Sequence, residues 1–369
     1  MPPARSRRSR RSLALTSLVV LSVVAAACSS TPSAASSHSS TTAPAPAGGS
    51  VPTTTAPALS GTSGALALQS AYEAVVTKVR PSVVEISTNT DLGSGIVYDN
   101  KGDIVTNNHV VAGHSTFTVT TPNGHTFPAT LVGAFAPDDL AVIKVTGATG
   151  LVPAKFADSS LLQVGQITLA VGNPLGLQSS VTSGIVSAVG RTVSEGRNGV
   201  TLPDTVQTSA SINPGNSGGA LVDIAGQVIG IPTLVATTAQ LGGGAAPGIG
   251  FAIASNTVKL IASQLVASGK VTNSGRAALG VVVATGFDQN GQPAGVIVRS
   301  VLPNQGAAKA GIKVGDVILS VNGKAVKTTS ELSDLLAELK PGQVVKVAIT
   351  DSSGANRTVN VTLGQLSGH

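Results

Sequence analysis

From residue 72 to 254 the apolar positions come in short β-branched runs separated by Gly, Pro, Asn and Asp. Clear runs are 82–87, 116–121, 129–133, 167–171, 181–189 and 227–234. Many short runs with frequent turn residues predict strands arranged as a sandwich or as barrels. The period then changes. Val258, Ile261, Leu265 and Val266 recur at helical spacing within 255–269, which predicts a helix closing this first domain, residues 69–270.

A second unit, residues 276–366, has its own pattern. Segments 295–298, 314–323 and 344–350 predict strands and turns. Thr328 and Glu331 have capping-box spacing and open a helix whose Leu332, Leu335, Leu336 and Leu339 share one face. Pro341 and Gly342 stop it.

Ahead of both lie two segments without such patterning. Residues 29–68 are mainly Ser, Thr, Pro and Ala with almost no charge. That composition cannot bury enough surface to offset ordering, and it predicts a disordered tether. Residues 1–28 join a basic stretch to an apolar run over 13–27 that is short for a bilayer span. This is an export leader. It ends at Cys28, the single cysteine, directly after Ala25, Ala26 and Ala27. Cys28 is the candidate for lipid attachment, with cleavage after Ala27 or an uncleaved anchor as alternatives. The twin arginines Arg10 and Arg11 leave the export route open. Each version puts the body outside the cytoplasm, anchored to the membrane or secreted.

Length and composition refine this picture. A chain of 369 residues has room for two sizeable cores. Aromatics make up only 2% and tryptophan is absent, so those cores are built from Val, Ile, Leu and Ala. The formal charge of +6 comes from the leader. Setting aside its five arginines leaves 18 basic against 17 acidic residues, so no nucleic-acid partner is expected. Nor is a metal or cofactor: the chain has no H-E-x-x-H and no cysteine pair, and His38, His114, His125 and His369 lack ligand spacing.

The candidate chemistry sits in Asn213-Pro214-Gly215-Asn216-Ser217-Gly218-Gly219. Glycines on both sides of Ser217 allow a turn whose N–H groups point inward beside the hydroxyl. A serine nucleophile needs a base and a pocket of donors for the oxyanion it creates. Gly215, Asn216 and Ser217 are the candidate oxyanion residues. The motif also fits the G-x-S-x-G of α/β-hydrolases, which place acid and histidine after the serine. Here only the terminal His369 follows it, whereas His109 and the adjacent Asp138 and Asp139 precede it. The order His, Asp, Ser is that of chymotrypsin-like proteases. Neighbours on a strand face opposite ways, and Asp139 directly precedes the apolar run 140–145. Asp139 is therefore the expected partner of His109, and Asp138 a solvated turn residue.

These segments resemble the HtrA (DegP-like) serine proteases. The likeness rests on 93–97, 104–111, 139–145, 170–177, 183–187, 212–219 and 248–253, in the family's order. It implies a mainly β protein: a chymotrypsin-like double β-barrel of six strands each, with the active site in the cleft, followed by a PDZ domain. By resemblance His109, Asp139 and Ser217 form the triad. Ser211 stands where trypsin-like enzymes carry an acidic pocket floor, and Gly250, Phe251 and Ala252 form a pocket wall, together implying small or medium aliphatic residues before the scissile bond. Ala278, Leu279, Gly280 and Val281 lie where PDZ domains bind a C-terminal carboxylate. The family further implies unfolded or misfolded envelope proteins as substrates, C-terminal peptides at the PDZ domain, and a homotrimer. The alternatives are a regulatory protease of a membrane signalling protein and a peptide-holding scaffold without catalysis.

Overall fold

A computed structural model describes residues 62–147, 149–173, 180–194, 200–213, 215–237 and 245–368. The leader, Cys28, His38, most of the tether, Pro214, the segment 238–244 and His369 lie outside the described residues. The first element is a helix, α1 (Thr62–Val79), so residues 62–68 are helical rather than part of the tether. They are rich in Ala and Leu, strong helix formers that the Ser/Thr-rich flank conceals in the sequence. Only the far end of α1 packs: Val75 and Val79 are buried. Pro81 then ends the helix in a short 3-10 turn, Arg80–Ser82. No described helix is long and apolar enough to cross a membrane.

Two closed six-stranded barrels follow. The first consists of β1 (Val83–Ser87), β2 (Leu92–Val97), β3 (Asp103–Asn107), β4 (Thr116–Thr120), β5 (Thr126–Phe135) and β6 (Leu140–Val145). The second consists of β7 (Ile167–Gly172), β8 (Ser180–Ser194), β9 (Thr201–Thr208), β10 (Ala220–Asp223), β11 (Val228–Thr237) and β12 (Ala245–Ala254). Around the first ring the order is β1-β2-β3-β6-β5-β4, and the second repeats it as β7-β8-β9-β12-β11-β10. Closure removes the exposed strand edges that an open sheet would present.

The alternation of side chains decides which core each residue joins. Along β6, Ala141, Ile143 and Val145 fill the first barrel. Leu140 and Val142, pointing the other way, enter a cluster shared with the second barrel. Ala170, Leu221 and Ile229 fill the second barrel, while Leu169, Val171 and Val222 join the shared cluster. Helix α2 (Asn108–Val111) follows β3 directly. Helix α3 (Ser255–Ser268) inserts Val258, Ile261 and Leu265 into the shared cluster, and stops at Gly269 in the left-handed region.

The C-terminal domain has a separate core. Its strands are β13 (Ala277–Ala278), β14 (Val281–Phe287), β15 (Pro293–Val301), β16 (Val317–Val321), β17 (Lys324–Ala325), β18 (Val344–Thr350), β19 (Asn356–Thr362) and β20 (Gly364–Gln365). The main sheet runs β14-β15-β16-β18-β19, with β17 on β16, and β13 pairs β20. A short helix, α4 (Gly306–Lys309), precedes β16, and α5 (Thr329–Ala337) follows β17. Thr328 Oγ1 accepts from Glu331 N–H at 3.1 Å, as the capping box predicts. Glu331 reaches back one residue further than expected, accepting from Lys327 N–H at 2.6 Å.

The two domains are joined by polar contacts. Arg276 Nη1 donates to Asp138 Oδ1 at 2.8 Å and also to the Pro137 carbonyl. Thr201 Oγ1 donates to Asp334 Oδ1 at 2.8 Å. Asp138 is thus no solvated turn residue: it is 1% exposed and ion-paired. Its burial pushes the carboxyl pKa up, and the Arg276 charge pulls against that shift.

Candidate active site

The imidazole and the carboxylate meet through strand register. In the β3–β6 pair Asn107 is opposite Leu140, so the residues just after β3 and just before β6 share one barrel end. His109 lies in α2, and Asp139 sits in the left-handed region with φ 49°. Aspartate tolerates that region better than most residues. The Asp139 carbonyl accepts from Asn108 N–H at 3.0 Å and Asn107 Nδ2 at 3.0 Å, which locks the turn.

The Asp139 carboxylate accepts three hydrogen bonds. His109 N–H reaches Oδ1 at 2.9 Å, His109 Nδ1 reaches Oδ2 at 2.8 Å, and Thr233 Oγ1 reaches Oδ2 at 2.5 Å. A carboxylate oxygen only accepts, so the shared proton belongs on Nδ1. The neutral imidazole then has its lone pair at Nε2. The Asp139 side chain is 7% exposed and that of His109 is 49% exposed. The carboxylate is therefore buried, while about half of the His109 side chain is exposed at the groove.

Ser217 comes from the second barrel, in the turn between β9 and β10. Gly215 and Gly218 adopt φ 104° and 79°, values open to glycine, as the motif predicts. Ser217 and His109 line one groove of about 320 Å³ together with Gly215, Ile212, Asn213 and Thr233. Asp91 and Leu92, from the short β1–β2 connection, line it too.

Several expected site residues lie elsewhere. Asn216 is not an outward-facing donor: its N–H donates to the Asn213 carbonyl at 3.1 Å. Its side chain is buried, accepting from Asn213 N–H at 3.1 Å and donating to the Ser211 carbonyl at 3.2 Å. Asn216 braces the turn from within, which leaves Gly215 and Ser217 as the candidate oxyanion donors. Phe251 and Ala252 are 7% and 0% exposed and pack into the shared cluster and the second barrel. Both faces of β12 are buried at this point, so neither side chain lines the groove. Gly250 abuts Ile212, a largely buried residue that borders the groove. Ser211 is exposed, and its carbonyl accepts from Thr182 Oγ1 and Asn216 Nδ2.

In the C-terminal domain, Ala278, Leu279, Gly280 and Val281 all line a cavity of about 260 Å³. Leu332 and Leu336 of α5 form its apolar wall, and Arg276 stands at its margin. Strand β14 begins at Val281 and is the terminal strand of its sheet, an edge able to accept a further strand. Gly280 needs its φ of 82°, and a Cβ there would lie 2.2 Å from that of Gln305.

Residues 93–231 match the trypsin-like peptidase domain and residues 265–363 match the PDZ domain. The chain is 39% identical over 346 residues to serine protease PepD of Mycobacterium tuberculosis, covering 88% of this chain and 72% of that protein. The chain belongs to the HtrA family of serine proteases. To periplasmic serine endoprotease DegP of Escherichia coli it is 43% identical over 286 residues, 75% of this chain but only 57% of DegP. Among solved structures, the HtrA-type protease AlgW with a decapeptide matches at a TM-score of 0.54 and 29% identity, covering 81% of this chain and 99% of that one. The first domain is thus the trypsin-like protease domain of an HtrA enzyme and the second its PDZ domain.

Thr233 had no signal in the sequence, since a lone threonine in a strand reads as packing. It donates to Asp139 from 94 residues further along the chain. Ser94 stood inside the family-like segment 93–97 without a role of its own.

Proposed function

We propose that Ser217 is the nucleophile of an endopeptidase whose general base is His109. Its hydroxyl attacks the carbonyl carbon of a substrate peptide, and the hydroxyl proton passes to His109 Nε2. Asp139 holds the ring in the tautomer that can take that proton and stabilises the imidazolium. The N–H groups of Gly215 and Ser217 serve the tetrahedral oxyanion. Collapse of that intermediate expels the amine, protonated by His109, and water hydrolyses the acyl-enzyme by the same steps in reverse. The observation that carries this reading is the 2.8 Å bond from His109 Nδ1 to Asp139, with Ser217 on the same groove as His109.

The wider role follows from family and sequence. The chain acts outside the cytoplasm, where DegP is named periplasmic. It is tethered through Cys28 or an N-terminal anchor, and assembles as a homotrimer. Its substrates are unfolded or misfolded envelope proteins. Its PDZ domain takes C-terminal peptides along β14, a reading supported by the edge position of that strand. Ser217→Ala tests the chemistry: turnover of an unfolded protein should fall about 10⁶-fold, and fluorophosphonate labelling should vanish. Retained labelling would remove Ser217 from this role. Trapping substrates with the same variant in the native envelope tests breadth, since a single captured membrane protein would point to a regulatory protease.

A further inference from the structure

Ser94 lies in β2 of the first barrel and is fully buried, at 0% exposure. The β2–β3 ladder pairs Ile96 with Val105 and Val97 with Ile104, and does not extend back to Ser94. The polar groups of Ser94 therefore find other partners. Its N–H donates to the Ser217 carbonyl at 3.0 Å, and its Oγ donates to the Gly215 carbonyl at 2.5 Å. The Oγ also accepts from Asn173 N–H at 2.8 Å, and the Ser94 carbonyl accepts from Thr106 Oγ1 at 2.6 Å. One buried residue of the first barrel thus holds the second barrel's turn on both sides of Asn216.

The consequence for the turn is geometric. The carbonyls of Gly215, Asn216 and Ser217 are each engaged, by Ser94 Oγ, Gly219 N–H and Ser94 N–H in turn. A peptide unit is planar, so the Ser94 bonds set the 215–216 and 217–218 peptide planes, while the Ser217 N–H lies in the plane between them, whose Asn216 carbonyl is held by Gly219 N–H. Without such anchors a glycine-rich turn has wide freedom, and donors that wander lose their value for a developing oxyanion. The contact is close as well: a Cβ on Gly218 would lie 2.2 Å from the Ser94 carbonyl oxygen. We infer that Ser94 is a positioning residue for catalysis, clamping from the opposite barrel the two peptide planes that flank the Asn216–Ser217 unit so that the Ser217 N–H and hydroxyl hold their reactive geometry. This inference rests on Ser217 being the nucleophile.

The test compares Ser94→Ala with Ser255→Ala in the full chain. Ser255 is equally buried and donates to the Ala157 carbonyl at 3.0 Å, at the start of α3 and away from the groove. Ser94→Ala deletes two bonds of a buried hydroxyl and Ser255→Ala one, so urea unfolding of both variants measures the general structural cost separately from kcat. Ser94→Ala should lower kcat about tenfold to a hundredfold with KM nearly unchanged, because misplacement of the reacting groups acts on the chemical step. It should weaken a peptide boronate, which forms a tetrahedral adduct on the nucleophile, by the same factor. Ser255→Ala should leave both quantities alone. The inference is overturned if kcat and boronate affinity of Ser94→Ala stay within about twofold of the parent, or if Ser255→Ala matches the loss. Should Ser94→Ala not fold, Ser94→Cys keeps a weak donor and should show a smaller kcat loss at the same KM; parental kcat in that variant overturns the inference. Ser217→Ala run alongside separates the two ideas, since labelling that survives there defeats the nucleophile assignment itself.

Discussion

The two barrels repeat one strand order, each closing its first strand onto its fourth, but they differ in regularity. The first has a single register shift, between Leu131 and Gly133 on β5. The second shifts register at β8–β9, β10–β11 and β11–β12. The regular barrel positions His109 and Asp139 from one strand pair, where local register suffices. The irregular barrel presents Ser217 on a glycine turn, which local register does not hold. Each barrel then braces the other: Thr233 of the second donates to Asp139, and Ser94 of the first donates to the Gly215 carbonyl. The shared apolar cluster docks the two closed barrels, and hydroxyls such as these fix the finer geometry across the cleft.

The largest effect that would test this division is expected from Asp139→Asn. An amide can donate as well as accept, so it no longer enforces the Nδ1–H tautomer, and kcat should fall about 10⁴-fold in a folded protein. Activity above a tenth of the parent's would mean that the first barrel does not supply the oriented pair.

Arg276→Ala comes next and is read as stability. It strands Asp138 as a buried, uncompensated carboxylate beside Asp139, at a cost of about 3–5 kcal/mol in urea unfolding. The pH dependence has a definite sign. Burial raises the folded pKa of Asp138, so the group favours folding at low pH and loses that contribution as pH rises through the raised value. Removing Arg276 takes away the charge that counters the rise, so the variant's deficit should shrink on acidification. A deficit that grows towards low pH would contradict the assignment.

Thr233→Val should have a smaller effect, about tenfold on kcat, the scale of one hydrogen bond to a charged group. Combined with Ser94→Ala in a double-mutant cycle, it measures whether the two cross-barrel braces act independently. The smallest effect lies away from the cleft. Asp158 is held at a pKa of about 2 by the Ser160 hydroxyl and Asn256, which tie the second barrel's entry to α3. Asp158→Ala should lower Tm slightly at neutral pH. Its contribution is present above the ordinary carboxylate pKa and lost as pH falls through about 2, so the parent–variant difference should close there.

How much could be read in advance depended on the range of the cause. The runs at 82–87, 116–121 and 167–171 became β1, β4 and β7 because β-branched residues between turn formers have few other uses. The helical spacing around Ile261 and the capping box at Thr328 also acted locally: α3 formed where expected, and α5 began where expected but ended at Ala337, so Leu339 follows the helix and Pro341 does not stop it. Asp138 was misread because its partner lies 138 residues away, in another domain. Phe251 and Ala252 were misread because alternation alone does not show that a strand is covered on both faces. Asn216 was assigned outward because the turn's fold back onto Asn213 cannot be seen in a list of glycines.

By itself the sequence determined the strand-rich class, the separation into two domains, and the order of imidazole, carboxylate and hydroxyl along the chain. These follow from side-chain period, turn chemistry and motif spacing, all of which act over a few residues. The tertiary structure alone decided that the neighbouring Asp138 is buried against Arg276, which N–H groups are left for an oxyanion, and which hydroxyls brace the groove. Those depend on segments about a hundred residues apart meeting within hydrogen-bond distance, and only closure and docking of the barrels sets that geometry.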